Sequence, residues 1–365
     1  MSTDISVVVC GGINIDRTFE VDRLPIKGET VMGKSSFHGV GGKAANTSVA
    51  CSRLGAKSSF LGAFGDDHYT EMLQSELSKH GVNTQTAYHL TKSDIACGQA
   101  YIFLLPDGDN SIIVVPSANA SWPNELTQVQ LDAIKHSDAV LLQREVPETY
   151  NIRIAKIAKQ HGVVVVLDVG GEDSKISKQL LQLVDILSPN EIELQRLMGH
   201  YEMADEKEKE KVTLTSSKYM TMRKIENASK RLLQYNKDLC ILLKRGDKGA
   251  LFVDPQKNLI NQKAMRLQAQ QIKDTTGAGD CFTGAFVVEW IRQMKLKQIW
   301  ASFRKPAETK KEDEKQSERT VRLECVANAM RFACVAAGLS VQKKGTIAAI
   351  PTLRDVIDVV LEQKI

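Results

Sequence analysis

The 365 residues could form one large α/β domain or two modest ones, and the 42% hydrophobic share suits a chain that buries a core rather than a fibrous or disordered one. Basic and acidic residues nearly balance, 48 against 44, and the basic ones form no stripe of the kind a nucleic-acid face requires. Seven cysteines with no CxxC pair argue against a disulfide framework or a zinc site and favour a reducing compartment.

The N-terminus runs directly into the apolar stretch Ile5–Cys10, which is too short for a signal sequence and has no basic flank ahead of it. No apolar run approaches the length of a membrane span, so no membrane partner and a cytoplasmic location are expected. After this first strand comes Gly11-Gly12-Ile13-Asn14-Ile15-Asp16. Asn14 and Asp16 alternate onto one face, where both can bond ligand hydroxyls, although an Asx turn reads the same way. The paired glycines suggest a dinucleotide fingerprint, but its GxGxxG spacing is missing.

Residues 16–40 alternate apolar and polar positions around Pro25, Gly28 and Gly33. Gly39-Val40-Gly41-Gly42-Lys43-Ala44-Ala45-Asn46 then opens a helix to Leu54, with Gly55 as its terminator. Lys43 and Asn46 lie about one turn apart and can address one polar ligand, or Lys43 can simply be solvated. The GxxxxGK[ST] spacing of a Walker loop is absent. Further on, Gln99–Leu105 and Ser111–Val115 flank turn-forming residues and read as a hairpin. Segments of about 16–38 and 96–117 therefore predict a small separate sheet, a candidate lid on a single domain spanning 1–365.

From about residue 125 to 300 strand and helix alternate. Ala139–Leu142, Val163–Leu167 and Leu239–Leu243, like Val7–Val9, are short and apolar throughout, as strands of a parallel sheet covered on both faces are. Asn151–Gln160 carries an apolar stripe at Ile154, Ile157 and Ala158 and stops at Gly162. The pattern predicts a doubly wound, mostly parallel α/β sheet with helices on both faces. Charged stretches at about 202–220 and 304–320 read as solvated surface insertions rather than docking segments.

The sharpest motif is Asp274-Thr275-Thr276-Gly277-Ala278-Gly279-Asp280, followed by the apolar helix Cys281–Ile291. Gly277, Ala278 and Gly279 can present amides at a helix N-terminus, an anion site. Asp280 is placed to take a proton from an attacking hydroxyl. A capping aspartate with glycines for a tight turn is the plainer alternative.

Four motifs in order, Asn14-x-Asp16, Gly41-Gly42-Lys43-x-x-Asn46, Ser188-Pro189-Asn190-Glu191-x-Glu193 and Asp274–Asp280, resemble those of the ribokinase-like carbohydrate kinases, the pfkB family. The resemblance spans roughly residues 5–360, and its last motif is highly specific. It implies a ribokinase-like fold and ATP-dependent phosphorylation of a primary hydroxyl of a sugar, with D-ribose the expected acceptor. Another sugar or a nucleoside, or a non-catalytic sugar or nucleotide sensor, are the alternatives.

The resemblance also implies roles. Asp280 would be the general base and Gly277, Ala278 and Gly279 the anion hole. Asn14, Asp16, Gly42, Lys43, Asn46 and Glu145 would hold the sugar. Asn190, Lys244, Arg245, Gly246, Asp247, Lys248, Gly249, Gly279 and Cys334 would bind ATP, and Glu193 would act indirectly on Mg²⁺. Asp274, Thr276, Ser340, Lys343, Gly345 and Ala349 correspond to an activating K⁺ site, although Ala349 stands where a serine is common and removes one side-chain oxygen. Asp168-Val169-Gly170-Gly171 replaces the Asn-Pro-Ala-Pro of many bacterial members, and Cys334 replaces a larger polar residue near adenine. A homodimer paired through the lid strands is expected.

Overall fold

The computed structural model describes residues 4–92, 94–106, 109–202, 220–299 and 312–362. The strands are β1 (Ser6–Cys10), β2 (Asn14–Glu20), β3 (Ser35–Gly41), β4 (Lys57–Leu61), β5 (Ala63–Phe64), β6 (Tyr88–His89), β7 (Gly98–Leu104), β8 (Asn110–Val115), β9 (Ala139–Arg144), β10 (Val164–Gly171), β11 (Ile186–Ser188), β12 (Cys240–Lys244), β13 (Ala250–Val253) and β14 (Leu259–Gln262). The helices are α1 (Lys43–Arg53), α2 (Thr70–Lys79), α3 (Gln128–His136), α4 (Glu148–Gln160), α5 (Lys178–Leu181), α6 (Glu191–Glu202), α7 (Met222–Leu233), α8 (Ala278–Leu296), α9 (Glu312–Ser340) and α10 (Leu353–Glu362).

Eight strands form the central sheet in the order β14-β13-β12-β11-β10-β9-β1-β4. All pairs from β12 to β4 are parallel, while β13 and β14 add an antiparallel edge. The uninterrupted apolar runs explain this. Val7, Val9, Leu141, Val164 and Val166 point into one core, with residues of α1, α8 and α9. Val8, Cys10, Val140, Leu142, Val165 and Leu167 point into the other, with residues of α4, α6 and α7. A strand buried on both faces has no polar alternate positions. The doubly wound sheet expected from the sequence is present.

A second sheet, β3-β2-β7-β8, stands apart from the first. Here β2 pairs antiparallel with β3 and parallel with β7, and β7 and β8 form the expected hairpin. Its outer strands are largely exposed, including Phe37, Ile112, Ile113, Val114 and Val115.

One sequence expectation needs correction. Glu318–Ser340 within α9 is long and apolar enough to cross a membrane by composition, although no such run was expected. It is a core helix, with Cys325, Ala329, Met330, Ala333 and Ala336 fully buried against α8. Of the charged stretch at 304–320, residues 304–311 lie outside the described residues and the remainder forms the first turns of this helix, which begins at Glu312. Most of the other charged stretch, 203–219, lies outside the described residues.

Candidate active site

Gly277 caps α8 with φ 74°, a left-handed conformation that favours glycine, and an added Cβ would come within 2.3 Å of Thr346 Cγ2. The Ala278 amide turns back to the Thr275 carbonyl at 3.3 Å. The amides of Gly277 and Gly279 meet no acceptor among the described residues, so the α8 N-terminus presents two free donors rather than the three expected.

Asp280, in the first turn of α8, is 4% exposed. Asn46 Nδ2 donates to its Oδ2 at 2.8 Å, and Lys43 Nζ lies 3.7 Å from its Oδ1. Both come from α1, whose first turn opens on Gly42. Burial pushes the Asp280 carboxyl above the usual range, the Lys43 charge opposes this, and Asp168 adds to it. A buried carboxylate raised this way and held by one lysine and one amide is a proton acceptor poised nearer neutrality. The same Asp280 charge keeps Lys43 protonated despite burial, with Asp168, Glu145 and Glu193 contributing.

Around this pair sit the other expected ligand residues. Glu145, just past β9, accepts from the Lys43 backbone amide at 2.8 Å, and burial pushes its carboxyl to about 7. Burial and the Glu145 charge raise Asp16, on β2, to about 7 as well. Gly41 makes room for Asp16, since a Cβ there would fall 2.0 Å from its Oδ2. Asn14 is 3% exposed and its Oδ1 accepts from Asn119 Nδ2 at 2.8 Å, which leaves its own amide NH₂ for a ligand. Asn119 also accepts from the Ile13 amide and donates to the Ile13 carbonyl, clamping the β1–β2 junction. No motif pointed to Asn119, which lies in a short 3₁₀ turn after β8.

On the opposite wall, Asn190 and Glu193 form a reciprocal cap at α6. The Asn190 amide donates to Glu193 Oε2 at 2.7 Å and the Glu193 amide to Asn190 Oδ1 at 2.8 Å. Glu193 Oε1 faces Gly170 beside Lys43, toward the centre of the site. Lys244 closes this wall, bridging Asn190 through the backbone and donating from Nζ to Asp168 Oδ2 at 2.5 Å. Arg245, expected at ATP, instead pairs with buried Glu191 at 3.3 Å and braces the loop. Gly246–Lys248 form a 3₁₀ turn with Asp247 and Lys248 exposed, and Gly249 follows with φ 88°. Cys334 lies in the α8–α9 core, 7% exposed.

Asp168, by sequence only a departure from a related pattern, sits at the centre of the site, 2% exposed. The register of β10 against β9 shifts between Leu167 and Gly171, and this bulge sets its side chain. Burial pushes its carboxyl up, but Lys244, Lys43 and the Gly170 amide outweigh that and hold it below the usual range. Its position at the C-terminal end of a parallel strand was the signal that could have found it.

The expected cation residues gather beside the α8 N-terminus. Asp274 accepts from the Thr276 amide at 2.9 Å and the Gly345 amide at 3.0 Å, tying their segments together. The Ser340 hydroxyl donates to the Ala337 carbonyl, the Lys343 amide to the Ser340 carbonyl, and Ala349 is buried. One carboxylate with carbonyl oxygens fits a monovalent cation better than a divalent one. Among the described residues no group of three or more His, Cys, Asp or Glu could hold a metal ion.

Comparison with known proteins bears on this arrangement. The family model described as pfkB family carbohydrate kinase matches residues 4–302. The chain is 34% identical to a ribokinase of Arabidopsis thaliana over 355 residues, covering 96% of this chain and 80% of that one. It is 30% identical to a ribokinase of Haemophilus influenzae, covering 97% of each. The solved structure of Arabidopsis thaliana ribokinase complexed with ribose and ATP superposes with a TM-score of 0.78 at 32% identity, covering 98% of this chain and 99% of that one. A ribokinase from Giardia lamblia, at 22% identity and a TM-score of 0.82 over 99% and 100%, supports the fold alone.

Proposed function

The chain belongs to the pfkB family of carbohydrate kinases, and on that footing we propose that it transfers the γ-phosphate of ATP to the primary hydroxyl of D-ribose, giving D-ribose 5-phosphate. The observation that carries the reading is the buried Asp280 carboxylate beside the free Gly277 and Gly279 amides, with Lys43 and Asn46 directed at it. A base next to an anion hole is what in-line phosphoryl transfer needs.

In this mechanism Asp280 takes the proton of the sugar hydroxyl as its oxygen bonds to the γ-phosphorus. The bond to the leaving oxygen breaks with its electron pair on ADP. The Gly277 and Gly279 amides bond the transferring oxygens, and Lys43 offsets charge on the reacting group. Asn14, Asp16 and Glu145 accept or donate at the other sugar hydroxyls, and the buried Asn46 Oδ1, without a partner among the described residues, offers one more acceptor. Asn190 and the turn from Lys244 to Gly249 border the nucleotide side. Mg²⁺, held indirectly by Glu193, would neutralise charge on the phosphates. Asp274 with the Thr276 carbonyl and the backbone of 340–349 would hold K⁺.

Asn14 and Asp16 lie on β2, so the second sheet carries two of the sugar's partners and acts as a lid that excludes water as acceptor. Its exposed edge strands, β3 with Phe37 and β8 with the apolar run Ile112–Val115, pair with those of a second copy in a homodimer, and the protein works in the cytoplasm. ADP release with MgATP against a panel of pentoses, hexoses and nucleosides, with and without potassium, tests the acceptor. We expect ribose-dependent turnover stimulated by potassium. Turnover on a nucleoside alone, or on no acceptor despite ATP binding, would contradict the reading.

A further inference from the structure

We infer that Asp168 is a positioning residue for phosphoryl transfer, its carboxylate and the Thr283 hydroxyl fixing the Lys244 ammonium against the anion hole so that the transferring group meets a cation as well as the helix N-terminus. The inference rests on the phosphoryl-transfer reading above.

The geometry runs through three elements. Asp168 comes from the bulge of β10, Lys244 from the end of β12, and Thr283 from α8, one turn beyond Gly279. Asp168 Oδ2 meets Lys244 Nζ at 2.5 Å and Thr283 Oγ1 at 2.8 Å, while Oδ1 accepts from the Gly170 amide at 3.0 Å. Both carboxylate oxygens are thus engaged within the protein. Thr283 Oγ1 is also 3.1 Å from the Gly279 carbonyl, so the cluster is tied to the turn that forms the anion hole.

Lys244 stands against that turn. A Cβ built on Gly279 would have Lys244 Nζ 3.8 Å away, and glycine leaves the space between them open. An ammonium carries three donors. One reaches Asp168, and Thr283 lies at the long distance of 3.5 Å, so donor capacity remains for a group bound beside Gly279. The lysine side chain is 12% exposed, so its ammonium is held where few solvent dipoles reach it. Asp168 supplies an anion at a fixed distance. Charge on a transferring phosphoryl group spreads over its equatorial oxygens, and a cation held in advance stabilises it without reorganisation.

A purely structural ion pair would have the same contacts, so the test must separate the two roles. Asp168→Asn, Lys244→Met and the double variant are compared with wild type for kcat, sugar KM, melting temperature, and dissociation constants of MgATP and MgADP. Removing one such electrostatic donor is expected to lower kcat by about 10²-fold. We expect sugar KM to stay within about twofold, and MgATP to weaken clearly more than MgADP in Lys244→Met, because only ATP carries the group the lysine faces. Asp168→Asn should lower kcat in the same direction and add little in the Lys244→Met background. If Lys244→Met fails to fold because it leaves a buried carboxylate unpaired, the double variant, which buries no charge, is compared with Asp168→Asn alone. Equal weakening of both nucleotides, or kcat losses that multiply, would overturn the inference. A wild type that phosphorylates no acceptor would contradict the kinase reading instead, and the MgATP to MgADP comparison would still decide where Lys244 acts.

Discussion

Asp16 and Glu145 are both raised to about 7 in the folded protein, well above the usual carboxylate range, because burial disfavours their charged forms, with the Glu145 charge adding to it at Asp16 and the Asp280 and Asp168 charges at Glu145. The folded state therefore binds their protons more tightly than the unfolded chain does. Their contribution is most favourable below about pH 4 and is lost as pH rises through about 7. Asp16→Asn removes that penalty. It is expected to stabilise the protein at pH 8 by roughly 1–3 kcal/mol, with little gain at pH 4, in denaturant titrations at the two values. The gain should come with ribose affinity weaker by about tenfold, since a hydroxyl loses a charged acceptor. Ribose affinity of the wild type is expected to rise as pH passes 7. In Glu145→Gln the Asp16 midpoint should move lower, because a neighbouring negative charge is gone. Calorimetric binding across pH checks both shifts.

Helices α1 and α8 act together, one bringing Lys43 and Asn46 and the other Asp280. They cross closely at Gly284, where an added Cβ would lie 3.0 Å from Ala50 Cβ and 3.2 Å from the Thr47 carbonyl. Gly284→Val should force them apart, costing about 1–3 kcal/mol of stability and lowering kcat through the displaced Asn46–Asp280 contact. Retention of wild-type kcat would mean that this crossing does not set the site. How far the sequence reveals such an arrangement depends on range. Val7–Val9 and Val163–Leu167 announce buried parallel strands because both faces are apolar, and Asp274–Asp280 announces its turn because glycines precede an apolar helix. Asp168 follows the apolar run of β10, which marks a strand end, but the bulge that turns its side chain into the site is encoded by no local pattern. Asn119 meets Asn14 across 105 positions, and Arg245 meets Glu191 across 54, so neither pairing leaves a sequence trace. The core helix α9 was obscured by its charged first turns.

On the scale of the molecule, the proposed function has the second sheet link sugar binding to assembly. Strand β2 continues from β1 with Asn14 and Asp16 facing the site, while β8 exposes Ile112, Ile113, Val114 and Val115 at the sheet's edge. An edge strand with an apolar face invites pairing. Ile113→Lys is expected to shift the protein from dimer to monomer in sedimentation equilibrium and to weaken ribose binding by loosening the lid. An unchanged mass would contradict assembly through this face.

The most direct test of the account is turnover of ribose and MgATP by wild type and Asp280→Asn, with the product's phosphate position read by phosphorus NMR. The account predicts ribose 5-phosphate from the wild type and a kcat lower by about 10²–10⁴-fold in the variant, the usual contribution of a positioned base, with binding of ribose and ATP largely kept. A variant that turns over at the wild-type rate, or a wild type that leaves ribose untouched, would contradict it.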